Sequence, residues 1–467
     1  MSTFSGLNTA LSGLNAARTG LNTVGQNLTN VNTAGYTRQR VDLAGAGVPA
    51  RGALNDAGTP VGQGVRVTGV TRFGDTFLDG RVHTAFASAG YASVRADALS
   101  GIQDTLGEPG DTGISSQLNG FWGAWQEVHN YPGEAGPSSV LLQKATGLVQ
   151  SIASGYRALD GQWSRTRDQA AAMVADVNAT ATAVATLNER IRAAQAAGTP
   201  ANDLIDQRGT LTEHLADLAG GTARDAPDGT VEVLVGGNAL VSGKQANTLK
   251  LTGAAGMADG APVTLEWERH PGVAAGLDGG RLAGALSVLA PAGDGGAIAQ
   301  TAAAYNALAA KLANAVNGAI TANNGVTPGG GPTDFFSLQA GVPAALGLAV
   351  VPVGPDGIAA GTGGKDGSVA DAVSQLGTGA DSPDKLWQGA VMTAGMAIKA
   401  GLQQATLAGS VSASAVAAQR SNAGVDLDEE NVNLLAFQHA YQAAARVMTA
   451  VDEALDTLIN QTGRVGR

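Results

Sequence analysis

The sequence has no cysteine, which excludes a disulfide framework and any Cys-ligated zinc. It is also poor in charge, at 14% of 467 residues against roughly 25% in an ordinary globular chain. The 28 basic residues are scattered among 39 acidic ones, and a net charge of -11 makes nucleic acid and anionic membrane poor partners. Five histidines, His83, His129, His214, His270 and His439, form no i,i+4 pair and no H-E-x-x-H motif, so no metal is expected. No glycine-rich run has the P-loop or G-x-S-x-G pattern, and Gly62-Gln63-Gly64 meets Val67 where a dinucleotide fingerprint requires a third glycine. With no catalytic constellation and no cofactor motif, the expectation is a protein that is not an enzyme. The first basic residue is Arg18, and the polar, Asn-rich start lacks the apolar core of a cleaved secretory signal. No run of about 18 consecutive apolar residues marks a transmembrane helix.

What the chain does have is glycine, 67 residues of it, and a repeat at its start. Ser5-Gly6-Leu7-Asn8, Ser12-Gly13-Leu14-Asn15 and Thr19-Gly20-Leu21-Asn22 recur at a period of seven, which keeps a seam on one face of a helix. Leu7, Leu14, Leu21 and Leu28 share one heptad position, and Ala10, Ala17, Val24 and Val31 lie three residues on, predicting a strip in need of a partner helix. Gly6, Gly13, Gly20 and Gly25 interrupt it, each costing up to about 1 kcal/mol relative to alanine, so this segment alone should fray. A matching strip lies at the other end: Leu434, Tyr441, Met448 and Leu455 share one position, and Phe437, Ala444, Val451 and Leu458 the next. Asp426 with Glu429 has capping-box spacing, and Asp428 and Glu430 add carboxylates to the first turn, where they oppose the helix dipole. Paired, the strips make a stalk of roughly 45 Å. Periodicity alone also admits two amphipathic helices laid on a globular core.

Length predicts two to four structural units. An extended connector or hairpin follows Tyr36, with Gly/Pro punctuation from Gly45 to Gly64 and alternation at Val65-Arg66-Val67-Thr68. Helical spacing runs over Phe77–Leu106, Ile114–His129, Ser138–Ala197 and Ala201–Leu218, then Arg281–Leu289, Ile298–Asn323 and from Asp384 to Ala418. Short strands occupy Val231–Val235, Leu240–Val241 and Val263–Trp267, with a weaker strand signal at Leu346–Val353. The expected fold is mainly α with a small β-domain, elongated, its domains discontinuous because the chain goes out and comes back. Residues 1–40 and 421–467 form the terminal coiled-coil domain; 41–219, 281–330 and 384–420 a helical domain; 220–280 an inserted β-domain; and 331–383 a Gly-rich, irregular or partly β segment. Asp203, Asp206 and Arg208 could be picked as acid–base residues, but near a helix start dipole compensation and surface ion pairing explain them better. The triplets at Asn27, Asn178 and Asn460 fit a glycosylation pattern that is common by chance and are discounted.

The run Asn27-Leu28-Thr29-Asn30-Val31-Asn32-Thr33-Ala34-Gly35-Tyr36-Thr37-Arg38-Gln39 resembles the N-terminal signature of flagellar rod and hook axial proteins, and its ending resembles the hook-associated protein 1 family. Gly424-Val425-Asp426-Leu427-Asp428-Glu429-Glu430, Asn433-Leu434, Phe437-Gln438 and Tyr441-Gln442-Ala443 are similar to that family's C-terminal signature. Arg72 with Asp75-Thr76-Phe77-Leu78, and Asn202-Asp203-Leu204-Ile205-Asp206-Gln207-Arg208, agree as well. The resemblance implies a structural subunit at the hook–filament junction, extracellular, exported by the flagellar type III apparatus without a cleaved signal. It implies as partners further copies in a ring-like helical layer, hook protein, a second junction protein (hook-associated protein 3) and a cytosolic export chaperone on the C-terminal helix. A rod or hook subunit would share the termini, and an enzyme with a catalytic β insertion is the alternative of a different class.

Overall fold

In the computed structural model residues 3–47, 63–330, 333–363 and 366–461 are described; positions 48–62 of the expected connector lie outside them. Helix α1 (Thr3–Thr29) leads through a turn into β1 (Gln39–Gly45), which pairs antiparallel with β2 (Val65–Arg72). Helices α2 (Thr76–Leu106), α3 (Ile114–Asn130), α4 (Ala135–Ala196) and α5 (Asn202–Ala219) follow. The Asp75 carboxylate starts α2 by accepting from the amides of Phe77 and Leu78, and Gly107 ends it in the left-handed region. At 62 residues α4 is about 93 Å long. One stretch of it, with mean hydropathy 1.3, is long and apolar enough for a bilayer span. Leu141, Leu148, Ile152 and Leu159 of this helix are nonetheless fully buried in the core.

Strands β3 (Thr222–Asp225), β4 (Val231–Val235), β5 (Asn238–Ser242) and β6 (Gln245–Ala246) form one antiparallel sheet. A second is built from β7 (Leu249–Gly253), β8 (Val263–Trp267) and β9 (His270–Ala274). Alternation decides their faces: Val231, Val233 and Val235 point inward, as do Val263, Leu265 and Trp267. Helices α6 (Gly280–Leu289) and α7 (Ala297–Ala322) precede the short hairpin of β10 (Phe336–Leu338) and β11 (Leu348–Val350), with α8 (Ala344–Gly347) between its strands and α9 (Ser368–Ser374) after it. Finally α10 (Pro383–Ala423) runs along α2, and α11 (Leu427–Asp456) pairs with α1.

The scarce aromatics are spent on the core. Trp125, Trp163, Trp387, Tyr305, Phe121, Phe335 and Phe336 are among the largest fully buried side chains. One continuous cluster joins the helices, both larger sheets, the hairpin and the start of α10, so the β segment shares the helices' core and has none of its own. Three asparagines pin strands to helices by acting as surrogate peptides. Asn178 on α4 both donates to the Leu249 carbonyl (2.9 Å) and accepts from its amide (2.8 Å). Asn188 does the same for Val231, and Asn317 on α7 for Phe336. The Gly-rich segment is less irregular than expected, because Phe335 and Phe336 pack against Phe121 and Trp125 and draw the hairpin onto the bundle.

The α1–α11 pairing corrects the expected seam. Ala10, Ala17 and Val24 are buried as predicted, but the other limb is buried at Gly20 and Asn27 and half-buried at Gly13, while Leu7, Leu14, Leu21 and Leu28 are only half-buried. The reason is close approach: a Cβ at Gly6 or Gly13 would sit 3.8 Å from Val451 or Ala444, and one at Gly20 would lie 2.4 Å from the Phe437 ring. Helix propensity is given up so that Phe437 can lie on bare backbone. On α11 the half-buried row is Leu434, Phe437, Ala444, Met448, Val451 and Leu455, whereas Tyr441 and Leu458 are 38% and 59% exposed. Asp426 caps α11 through the amides of Asp428 and Glu429, but the Glu429 side chain turns to Arg38, so only half of the capping box forms.

Gly25 has nothing within 4 Å of its Cβ position. We expect Gly25→Ala to stabilise α1 by up to about 1 kcal/mol, and Gly20→Ala to destabilise the α1–α11 pair by displacing Phe437. Thermal unfolding followed by helical circular dichroism distinguishes the two; equal effects would contradict the close-approach assignment.

Candidate functional site

The signature residues from both ends of the chain meet at one joint. Asn27, in the last turn of α1, is 1% exposed and uses both ends of its amide. Its Oδ1 accepts from the Gln39 amide (3.0 Å) and the Tyr36 hydroxyl (2.9 Å); its Nδ2 donates to the Gln39 carbonyl (2.9 Å) and to Glu430 Oε2 (3.1 Å). Glu430, in the first turn of α11, is also 1% exposed. Arg38 answers it with Nε at 2.7 Å from Oε1, and binds Glu429 through Nη1. The Arg38 amide donates to the carbonyl of Ala423 at the end of α10 (2.9 Å), and its carbonyl accepts from Phe73 (2.9 Å). The guanidinium groups of Arg38 and Arg40 lie 5.4 and 5.0 Å from the Phe73 ring centroid.

A second set of bonds fastens this joint to the helical bundle. Asp206 of α5 accepts from the Thr37 amide (3.2 Å) and from Arg72 Nε (2.8 Å), and Arg72 also donates to the Thr37 hydroxyl (2.9 Å). Asn202 donates to the Gln39 side-chain oxygen and to the Val70 carbonyl, both at 3.1 Å, and Gln39 reaches Asp203 at 3.4 Å. Burial pushes the Asp206 carboxyl up from its ordinary value, against the opposing pull of Arg72 and Thr37. Burial likewise lowers Arg208, which donates to Asn188 Oδ1 and the Gly229 carbonyl, both at 2.9 Å. Asp206 and Arg208 are therefore interior groups, not the surface dipole compensators expected from their place near a helix start. The signal that could have found them was their membership, with Arg72, in the stretches resembling the family.

Thus Asn27, Tyr36, Thr37, Arg38, Gln39, Glu429 and Glu430 converge. Asn30, Asn32, Asp426, Leu427 and Asp428 do not: Asn30 accepts from Thr33 to shape the turn, Asp426 caps α11, and Asn32, Leu427 and Asp428 are exposed. Gly35 turns at φ 77° with its Cβ position 2.4 Å from the Thr210 hydroxyl, so no side chain fits there. A groove of about 880 Å³ runs beside the joint, lined by Tyr36, Arg72, His83, Asp206, Glu213 and Arg420 among others. Among the described residues no three His, Cys, Asp or Glu side chains are grouped as a metal site requires.

Three family profiles match the chain: "Flagella basal body rod protein" over residues 7–37, "Flagellar hook-associated protein FlgK helical domain" over 99–336, and "Flagellar basal body rod FlgEFG protein C-terminal" over 421–461. Flagellar hook-associated protein 1 of Bacillus subtilis is 30% identical over 514 residues, covering 100% of both chains. The chain belongs to the flagellar hook-associated protein 1 family. The Salmonella typhimurium member is 30% identical over 52% of this chain and 42% of its own length, and that of Escherichia coli 29% over 52% and 44%. The hook junction protein FlgK of Burkholderia pseudomallei superposes with a TM-score of 0.48 at 22% identity, over 56% of this chain and 47% of that one. As a hook-associated protein 1 family member the chain is a structural protein of the flagellar hook-associated junction, in the exported, extracellular part of the bacterial flagellum, and it associates with hook components. The two rod-type profiles hold Asn27 and Glu430 respectively, so the buried bond at the joint links the two matched segments.

Removing Glu430 takes one partner from buried Asn27 and leaves Arg38 only the exposed Glu429, and we expect Glu430→Ala to cost about 3–5 kcal/mol of terminal-unit stability. Glu429 is 62% exposed, and Glu429→Ala should cost at most about 1 kcal/mol. Limited proteolysis of the α11 start ranks them, and equal sensitivity would refute the distinction. Burial first, then the charges of Asp206, Asp203 and Glu430, push the Tyr36 phenol up to about 12. A folded value above the ordinary one near 10 means that its stabilisation is complete below about pH 10 and lost as pH rises towards 12. Alkaline unfolding over that window should flatten in Tyr36→Phe, and an unchanged profile would count against the assignment.

Proposed function

We propose that the subunit forms the structural transition between hook and filament, with hook protein on one side and a second junction protein on the other. The observation that carries this reading is the half-used surface of α11. Among its described residues only Glu430 is buried, while Val432, Leu435 and Val447 are 66%, 55% and 50% exposed. Val432 and Leu435, with Ala436, Ala443 and Ala450, lie on the side away from α1, and Val447 lies on its flank. Burying each large one against neighbouring copies would contribute about 1.5–3 kcal/mol, enough for assembly in a ring-like helical layer to complete a terminal unit that the monomer leaves open. Leu7, Leu14, Leu21, Leu28, Val31, Leu434, Met448 and Leu455, half-buried in the monomer, supply the flanks of the same surface.

The same open face needs covering before export, which favours a cytosolic chaperone on the C-terminal helix. Glycines along α1 favour passage through a narrow export channel as an unfolded chain. Catalysis has no part in this reading. The terminal segments, the helical body, the β segment at 220–280 and the Gly-rich stretch at 331–383 serve as successive layers, with the joint holding the terminal unit at a set angle to the body.

Val432→Asp with Val447→Asp should leave the monomer folded and abolish incorporation, and Leu434→Asp with Leu455→Asp should abolish incorporation through loss of the α1–α11 pair. Electron microscopy of cells carrying either variant as the sole copy is expected to show hooks without filaments and flagellin released into the medium. Normal filaments would reject the junction role of this face.

A further inference from the structure

The contacts between α1 and α11 form a ladder with a period of seven in both helices. Gly6 faces Val451, Gly13 faces Ala444, Gly20 faces Phe437, and the next step along each helix is the hydrogen bond of Asn27 to Glu430. The first three rungs are nearly interchangeable on the α1 side, because the Ser/Thr-Gly-Leu-Asn unit repeats three times. Sliding α1 by one heptad so that Gly13 meets Phe437 and Gly6 meets Ala444 would therefore meet no steric objection: a glycine again lies under the ring. Sliding it the other way brings Asn27 under Phe437, where even a Cβ has no room, since the one built at Gly20 falls 2.4 Å from the ring. Sterics thus exclude one slip and permit the other.

We propose that the buried rung of Asn27, Glu430 and Arg38 is the register-setting element of the terminal coiled coil, and that it excludes the slipped pairing which the glycine repeat leaves open. In the slipped pairing Glu430 faces Gly20, which offers no donor side chain, and Asn27 moves past the start of α11 and away from Gln39 and Tyr36. A buried carboxylate stranded in this way is far more expensive than the loss of one apolar contact, and a lone polar rung in an apolar seam is a known means of specifying register. The assignment matters for assembly because one heptad is about 10 Å along the axis. A slip would carry α1, whose half-buried leucines flank the exposed face of α11, by that distance relative to α11, leaving the combined surface out of step with a neighbouring copy. This consequence rests on the assembly role proposed for that face; the register itself does not.

The absence of native cysteine makes the register directly measurable. The Cβ position of Gly13 is 3.8 Å from that of Ala444, within the range a disulfide needs, so Gly13→Cys with Ala444→Cys reports the observed register. Gly6→Cys with Ala444→Cys reports the slipped one, since those positions are about 10 Å apart along the axis otherwise. Each pair is oxidised in the full-length purified monomer, and intramolecular cross-linking is read by non-reducing gel mobility and peptide mapping. With Glu430 intact the first pair should cross-link at least about tenfold more than the second. In Glu430→Ala the second pair should gain and the first lose, and Glu430→Gln, which keeps an acceptor for Asn27, should restore the first. Three outcomes overturn the proposal: both pairs cross-linking equally with Glu430 intact, the first pair alone cross-linking in Glu430→Ala, or both cross-links vanishing in Glu430→Ala and in Glu430→Gln, which would make the rung a general tether. None depends on hook binding, so failure here and failure of the junction role are separable.

Discussion

A carboxylate held in a protein interior has to be paired, and Glu430 is the group on which that requirement falls most heavily here. Its partners come from the other end of the chain: Asn27 at the end of the first helix and Arg38 in the connector, 403 and 392 residues away in sequence. Since neither Asn27 nor Arg38 can satisfy itself elsewhere without exposing the joint, the first forty residues and the last forty are obliged to fold together. The Arg38 guanidinium also lies against Phe73, and Arg72 beside it clamps Asp206, so the obligation extends to the helical body. Helices α1 and α11 have little else to fix them, because their contact is made of glycine, alanine and a few half-buried apolar side chains.

The low charge and aromatic content has a matching logic in the body. Seven of the chain's large rings are fully buried, and the strands are attached to the long helices by uncharged asparagine amides. Each such asparagine satisfies a strand amide and a carbonyl together. This is why the β segment can share one core with the bundle: its edges are completed by helix side chains.

Much of this was legible in the sequence where local signals are strong. Long helices bounded by Pro and Gly, such as α2 from Thr76 to Leu106 and α3 from Ile114 to Asn130, lie within a residue of the expected limits. The pairing of the two ends followed from matched heptads. The identity of the buried limb on α1 did not, because a hydrophobic pattern ranks leucine above glycine, and the value of Gly20 exists only when Phe437 is opposite. Asp206 and Arg208 were misread for a related reason: their proximity to a helix start has a sufficient local explanation, and nothing local announces Arg72 or Gly229 as a partner. Phe335 and Phe336 lay in a Gly-rich stretch whose weak periodicity concealed that their destination was the aromatic cluster on α3.

The contrast between body and terminus follows from what each must do on its own. The body gathers its largest rings and many of its apolar side chains into one continuous core. The terminal pair leaves most of the apolar surface of α11 at half or full exposure, and the interactions it does complete are polar and directional. Apolar contact is tolerant of sliding and rotation, whereas a hydrogen-bonded buried charge is satisfied at one relative position only. A subunit whose apolar helix face is left for its neighbours therefore needs a separate, polar device to hold that face at a defined height and angle before any neighbour arrives. Placing that device at the joint, where the terminal pair meets α5 and the end of α10, sets the position of the whole helix from its anchored end and leaves its free length available for packing.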